Sequence, residues 1–127
     1  AVWGVIEKES GAMIGTARFV EWYPAHKRAV IGWTVHSPYW SRGYGTEIAK
    51  MLIEYGMKYL NLNRIEIIVR VDNQASSRIA QKAGMSHECR FRDHWLLKDE
   101  WLTFDQYAIV RQEIAHTLAT PVPKAVS

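Results

Sequence analysis

The stretch from Trp40 to Glu47 carries residue types suited to binding a phosphate group. Gly43 and Gly45 have no Cβ, so their backbone can approach an anion closely and can adopt positive φ. The residues after Thr46 have helical periodicity, which places the amides of this loop at the positive end of a helix dipole. Arg42 would add a charge-assisted contact. Two glycines before a helix are weak support by themselves, but together these features predict a loop that wraps a diphosphate.

A second helix start follows at Asn73, with Ser76 in its first turn and Gly84-Met85 at its end. An asparagine in that position can cap the helix, and it could also bind the ligand held by the first loop. The first loop lacks the Gly-Lys-Ser/Thr ending of a P-loop and the third glycine of a dinucleotide-binding loop. Sites for a nucleoside triphosphate or for NAD are therefore disfavoured.

The elements that must position these two segments follow from periodicity. We expect an initial three-stranded antiparallel meander, then alternating helices and strands, then a long hairpin that turns at Lys98-Asp99. The predicted strands cover residues 2–7, 13–22, 29–36, 64–71, 88–97 and 100–110, and the predicted helices cover 46–60 and 73–84. Trp33, Trp95 and Trp101 occupy alternating strand positions and are expected in the core, whereas Trp22-Tyr23 lies beside a turn.

In this order, from about Gly15 to Val110, the motifs resemble those of the GNAT superfamily of acetyl-CoA-dependent N-acetyltransferases. Tyr39-Trp40 before the glycines and Thr46-Glu47 after them are similar to the branch that acetylates the N-termini of ribosomal proteins. The resemblance implies an α+β fold (three-layer α/β), with helices packed on the faces of a mixed, mostly antiparallel twisted sheet. It also implies that the strand ending near His36 diverges from the strand starting near Arg64.

The resemblance further implies that acetyl-CoA is the co-substrate and that no metal is needed. The strand before the loop would contribute backbone contacts, the loop would hold the diphosphate, and the second helix start would hold the pantetheine arm. The implied acetyl-CoA contacts are Trp33, Thr34, Val35, Trp40, Arg42, Gly43, Tyr44, Gly45, Thr46, Asn73 and Ser76.

Ser76 coincides with the serine that the ribosomal-protein branch uses as an acid toward the departing thiolate. Other members use a tyrosine four residues later, where this chain has Ala80. The alternative is a serine that only bonds to backbone in a first helical turn.

A general base is harder to assign. The glutamates used by relatives correspond to Val30 and Trp95 here. His36 is the first candidate, because an imidazole titrates near neutrality. His94 and Asp93 come second, and deprotonation through water is a further alternative.

Length and composition, together with the resemblance, predict a single domain over residues 1–113, and the prolines and small residues near the end predict a flexible tail over 114–127. In the family, one strand and two helices precede the strand at which this chain begins, so we expect the domain to be N-terminally incomplete. Without a neighbour, the strand at 2–7 would be an exposed edge, through which the chain could form a homo-oligomer.

Composition narrows the class of protein. The 127 residues are 48% hydrophobic. The net charge is only +3 and the lysines and arginines are scattered along the chain, which disfavours a nucleic-acid partner. The sequence has neither a run of 18 apolar residues nor a basic leader, so we expect no membrane association and a cytoplasmic location. The single cysteine, Cys89, is expected to be a buried structural thiol.

The function predicted is transfer of an acetyl group from acetyl-CoA to a primary amine, either a protein N-terminus or a small amine, by direct attack in a ternary complex. The alternative is a non-catalytic module that binds acyl-CoA or a partner and has a degenerate amine site. Nucleic-acid binding is a distant third.

Overall fold

The computed structural model describes residues 2–118, with side-chain surroundings up to residue 114. Besides two three-residue 3₁₀ helices, Pro24–His26 and Ser37–Tyr39, the chain forms six strands and three α-helices within this range. In chain order they are β1 (Val2–Ile6), β2 (Met13–Tyr23), β3 (Arg28–Val35), α1 (Tyr44–Tyr59), β4 (Arg64–Arg70), α2 (Gln74–Lys82), β5 (Ser86–Leu97), β6 (Glu100–Val110) and α3 (Arg111–Leu118). The predicted meander, both predicted helices and the predicted hairpin are all present.

The strands form one sheet in the order β1-β2-β3-β4-β6-β5. Every neighbouring pair is antiparallel except β3 and β4, which are parallel. Parallel neighbours need a crossover connection, and α1 supplies it. The predicted mixed, mostly antiparallel sheet is confirmed.

The ladder between β3 and β4 is short. It joins Arg28 to Arg64, Ala29 to Ile65 and Val30 to Glu66, and then it ends. Beyond Val30, β3 pairs with β2 as far as Val35, and β4 pairs with β6 as far as Arg70. The two central strands therefore diverge toward their C-terminal ends, as predicted.

The hydrophobic core lies between one face of the sheet and the helices. Alternate residues of β3 and β4 enter it, together with apolar residues of α1 and α2; its members include Ala29, Ile31, Ile48, Leu52, Ile65, Ile67 and Ala80. Within residues 2–118 all three helices pack on this face. A third layer, on the opposite face, is not among the described residues.

The opposite face of the sheet is charged where β3 and β4 are still paired. Glu66 is only 7% exposed, and its carboxylate accepts hydrogen bonds from Arg64 at 2.6 Å and from Arg28 at 3.3 Å. Arg64 also pairs with Glu88 on β5. A carboxylate this buried is stable only when its charge is matched.

The hairpin corrects one expectation about the core. Trp95 and Trp101 are 60% and 58% exposed, although alternation predicted them to be buried. The pairing of β6 with β4 ends at Phe104 opposite Arg70, so the end of the hairpin extends past the rest of the sheet. Trp33 is half-buried and packs against the core, and Cys89 is half-buried on β5.

The helix α3 is not predicted by the sequence. Its first residue, Arg111, donates to the carbonyl of Leu62 at 3.0 Å and to that of Met57. The helix occupies the first residues of the predicted tail, and residues 119–127 lie outside the described residues. In the described part of the chain, the longest helix has 16 residues, and none is both long and apolar enough to cross a membrane.

Candidate functional site

The gap between β3 and β4 exposes main chain on its β3 side. Trp33, Thr34 and Val35 pair with β2 and have no register partner on β4. Trp33 and Val35 pack against the core, so Thr34 points to the opposite face, where its hydroxyl lies 2.7 Å from that of Thr16. On its β4 side this stretch of β3 therefore has no neighbouring strand within the described sheet.

The loop after β3 is held in an unusual backbone conformation. Ser41 and Gly43 have φ of 63° and 81°, in the left-handed region, which glycine adopts at little cost and serine rarely adopts. Trp40 is 65% exposed, and its indole Nε1 donates to the carbonyl of Val35 at 2.6 Å. This bond ties the loop back to the strand that it follows.

The start of α1 offers a set of unbonded amides. The first intrahelical bond at this end runs from the amide of Glu47 to the carbonyl of Gly43 at 3.1 Å. No side chain caps this helix start. The amides of Tyr44, Gly45 and Thr46 precede the first intrahelical bond, and such groups at a positive dipole end favour an anion.

Gly45 also sets the distance between the two helices. A Cβ added at this position would lie 2.4 Å from Cδ1 of Ile79, on α2. The absence of a side chain therefore lets the first turn of α1 contact α2 one turn after Ser76. The structure thus brings the two predicted ligand-binding segments together.

The start of α2 is capped by Asn73, as predicted. Its side-chain oxygen accepts from the amide of Ser76 at 3.1 Å, which leaves its NH₂ group as a donor. Ser76 is half-buried, and within residues 2–114 its hydroxyl forms no hydrogen bond. The alternative role, in which the Ser76 hydroxyl bonds to backbone in the first turn of the helix, is therefore not observed among these residues.

Glu7 lies beside the loop, which the sequence did not predict. Its carboxylate accepts from the hydroxyl of Tyr44 at 2.5 Å and lies 3.6 Å from the guanidinium of Arg42. Arg42 also lies over the ring of Tyr39, 5.3 Å from its centre. Glu7 is 35 positions before Arg42 and belongs to no motif, so nothing in the local spacing could have identified it.

The candidate bases do not form one cluster. His36 is exposed directly after β3, and its amide donates to the carbonyl of Ile14 at 2.7 Å. His94 and Asp93 lie in a bulge of β5, between the pairs Phe91–Phe104 and Trp95–Leu102. In the sheet order β4 and β6 lie between these two positions, so the structure does not bring His36 together with His94 and Asp93.

Across the residues that the structure describes, no group of three or more His, Cys, Asp or Glu side chains is arranged to hold a metal ion. The unbonded amides, Arg42 and the open edge of β3 instead match a long ligand that has an anionic part and an amide-bearing part.

Comparison with known proteins gives the same outline. A family model described as the acetyltransferase (GNAT) domain matches residues 1–86. An uncharacterized N-acetyltransferase of Bacillus subtilis (strain 168), YoaA, is 30% identical over 109 residues, which cover 86% of this chain and 62% of the relative. The spermidine N(1)-acetyltransferase of Escherichia coli (strain K12) is 25% identical over 87% of this chain and 60% of its own length.

Solved structures agree with these matches. The crystal structure of a GNAT-family acetyltransferase from Bacillus anthracis superposes with a TM-score of 0.81 at 29% identity, over 87% of this chain and 66% of that one. A putative ribosomal-protein-serine acetyltransferase from Vibrio cholerae superposes with a TM-score of 0.76 at 25% identity, over 86% and 63%. The chain thus spans less than two thirds of the length of the curated relatives described above.

Proposed function

Because this chain belongs to the GNAT acetyltransferase family, we propose that it binds acetyl-CoA in the gap between β3 and β4 and transfers the acetyl group to a primary amine. The observation that carries the proposal is the combination of that gap with three unbonded amides at the start of α1. These two features fit the two chemically distinct parts of one ligand, its amide-bearing arm and its diphosphate.

Each part of the site has a separate binding role in this proposal. The amides of Tyr44, Gly45 and Thr46 and the guanidinium of Arg42 hold the diphosphate through charge-assisted hydrogen bonds. The NH₂ group of Asn73 and the open backbone of β3 hold the pantetheine arm. Bound acetyl-CoA supplies the activated thioester.

The chain's own residues then provide orientation and proton transfer. Backbone amides near Trp33 to Val35 are the candidates for stabilising the oxygen on which negative charge develops. Ser76 donates its hydroxyl proton toward the departing sulfur. A primary amine is largely protonated at neutral pH and must lose that proton before it attacks the thioester carbon, and His36 or an ordered water accepts it on this proposal. The second proton, which the nitrogen loses as the C–N bond forms and the C–S bond breaks, balances the proton that Ser76 gives to the sulfur.

The acceptor is a protein N-terminus or a small amine. The relatives support both classes, because one is named as a spermidine N(1)-acetyltransferase and the solved structure of another is named as that of a putative ribosomal-protein-serine acetyltransferase. A cytoplasmic location and a homo-oligomer formed through β1, which is an edge of the described sheet, stay predictions.

Calorimetric titration with acetyl-CoA tests the proposal directly, with S-acetylpantetheine, which lacks the phosphates, as the control. We expect acetyl-CoA to bind and S-acetylpantetheine to bind much more weakly. Thiol release is then measured with two acceptors, spermidine and a short peptide with a free N-terminus. Absence of acetyl-CoA binding would refute the proposal, and binding without thiol release would favour the non-catalytic module.

A further inference from the structure

Glu7 is fixed in place by the turn between β1 and β2. Its amide donates to the carbonyl of Ala12 at 2.9 Å, and its carbonyl accepts from the amide of Gly11 at 2.8 Å. The hydroxyl of Ser10 donates to one carboxylate oxygen at 2.7 Å. The side chain is only 12% exposed. Both the backbone and the side chain of Glu7 are thus held by residues outside the phosphate-binding loop.

The other carboxylate oxygen faces that loop. It accepts from the hydroxyl of Tyr44 and lies 3.6 Å from Arg42. Arg42 and Tyr44 are the two neighbours of Gly43, whose φ of 81° marks the turn into α1. One carboxylate therefore reaches the residues on both sides of the point where the chain changes direction.

The protonation states of Glu7 and Tyr44 favour a lasting contact between these two residues. The hydroxyl groups of Tyr44 and Ser10 and the nearby Arg42 lower the pKa of Glu7, and the carboxylate in turn raises the pKa of the Tyr44 phenol. Glu7 is thus ionised and Tyr44 is protonated at neutral pH. Arg42 keeps 55% of its side chain exposed, so it can face a ligand while it stays near Glu7.

A carboxylate beside an anion site would by itself repel phosphate. We propose that Glu7 is a positioning residue whose favourable effect on the loop outweighs this repulsion. It holds Tyr44 and Arg42 so that the amides at the start of α1 and the guanidinium already face the phosphates before the ligand binds. This inference rests on the proposed binding of acetyl-CoA. A loop ordered in advance has less conformational freedom to lose on binding, which raises affinity.

The test compares Glu7→Gln with Glu9→Gln, which makes the same change at an exposed glutamate of the same turn. Dissociation constants are measured by calorimetry for coenzyme A and for pantetheine. We expect Glu7→Gln to weaken coenzyme A binding about tenfold, since a charged hydrogen-bond acceptor is lost, while pantetheine binding stays the same and the melting temperature falls only slightly. Glu9→Gln should change none of these quantities.

Tyr44→Phe and the double variant Glu7→Gln/Tyr44→Phe complete the design. If the two residues act as one unit, the double variant binds coenzyme A no more weakly than the weaker single variant. Equal losses for coenzyme A and pantetheine would indicate a general structural role and overturn the inference. Unchanged coenzyme A binding by Glu7→Gln would also overturn the inference. Tighter binding would overturn it as well, because it would show that Glu7 competes with phosphate for Arg42.

A failure of the proposed function is seen before any variant is made. If the unaltered protein does not bind coenzyme A, both the function and this inference fall. If it binds and the Glu7 variants bind equally well, only the inference falls.

Discussion

The two ends of the β3–β4 pair are completed in different ways. At the paired end, residues 28–30 and 64–66, the strands bond to each other, and Arg28 and Arg64 neutralise the buried Glu66. At the divergent end, the strands have no ladder between them, and the amides that open α1 have no helical acceptor. Among the described residues, the paired end thus satisfies its own polar groups, and the first amides of α1 at the divergent end have no partner, where we propose that a ligand binds.

Gly45→Trp should have the largest effect, because it fills the divergent end. Even a Cβ there would lie 2.4 Å from Cδ1 of Ile79, so an indole must displace either α2 or the phosphate-binding turn. We expect the affinity for acetyl-CoA, measured by calorimetry, to fall about a hundredfold or more.

The matched control is Met51→Trp, which places the same side chain on the exposed side of α1 and should leave affinity unchanged. Unchanged affinity in Gly45→Trp itself would remove the loop from the site.

Ser76→Ala separates binding from chemistry at the same end of the strands. Removal of a positioned acid typically slows the chemical step, so we expect kcat to fall about a hundredfold while the dissociation constant of acetyl-CoA stays the same. Initial rates of thiol release and calorimetry measure the two quantities. Ser77→Ala, one residue along the same helix, is the control, and full activity in Ser76→Ala would exclude Ser76 as the acid.

Glu66→Ala addresses the paired end, where we expect an effect on stability alone. It leaves two partly buried arginines without their shared carboxylate, which should lower the free energy of unfolding by about 2 kcal/mol. Urea denaturation measures this change. Glu88→Ala removes a more exposed partner of Arg64 and should cost less than about 1 kcal/mol.

The contrast between the two ends would break down if Glu66→Ala kept its stability and lost affinity for acetyl-CoA. That result would place Glu66 in the ligand site.

Asp105→Asn extends the comparison to β6, the strand that pairs with β4 beside the divergent end. The hydrogen bonds from Arg90, and secondly the contact with His87, lower the pKa of Asp105 from 3.8 to about 2. A carboxyl group with a lowered pKa stabilises the fold above its unfolded-state pKa and loses this contribution as the pH falls through its folded-state pKa.

We therefore expect Asp105→Asn to be less stable than the unaltered protein by roughly 1 kcal/mol at pH 5, with a difference that shrinks between pH 4 and pH 2. Urea denaturation across this range measures it. Asp99→Asn, in the exposed turn between β5 and β6, is the control and should show no such dependence on pH. If the difference in stability for Asp105→Asn were constant with pH, the ion pairs of Asp105 would not stabilise the fold.

Local patterns in the sequence were enough to predict most of the fold and two segments of the site. Alternation located the strands, and the second helix begins directly after Asn73 as predicted, whereas the first begins at Tyr44, two residues before the predicted Thr46. Contacts between distant residues were not predictable in this way. The start of α3 depends on Arg111, which bonds to the carbonyl of Leu62, 49 positions away, and Glu7 reaches Tyr44 across 37 positions.

Burial was predictable only where the sheet is covered. Alternation indicates which face a side chain takes, and Ile65 and Ile67, two residues apart on β4, are both buried in the core. It does not indicate where the neighbouring strand ends, so Trp95 and Trp101 were wrongly assigned to the core. The predicted roles of Ser76 and His36 stay predictions, because chemistry depends on a substrate as well as on the position of a side chain.

The shortness of the β3–β4 ladder also has a mechanical meaning. Three residue pairs join a three-stranded plate, β1 to β3, to a second plate, β4 to β6. The other neighbouring strands of the described sheet are joined by five to eight residue pairs, so we expect bending between the plates to be easiest along this seam. A ligand arm would brace the two plates against each other only if it contacted β4 as well as β3.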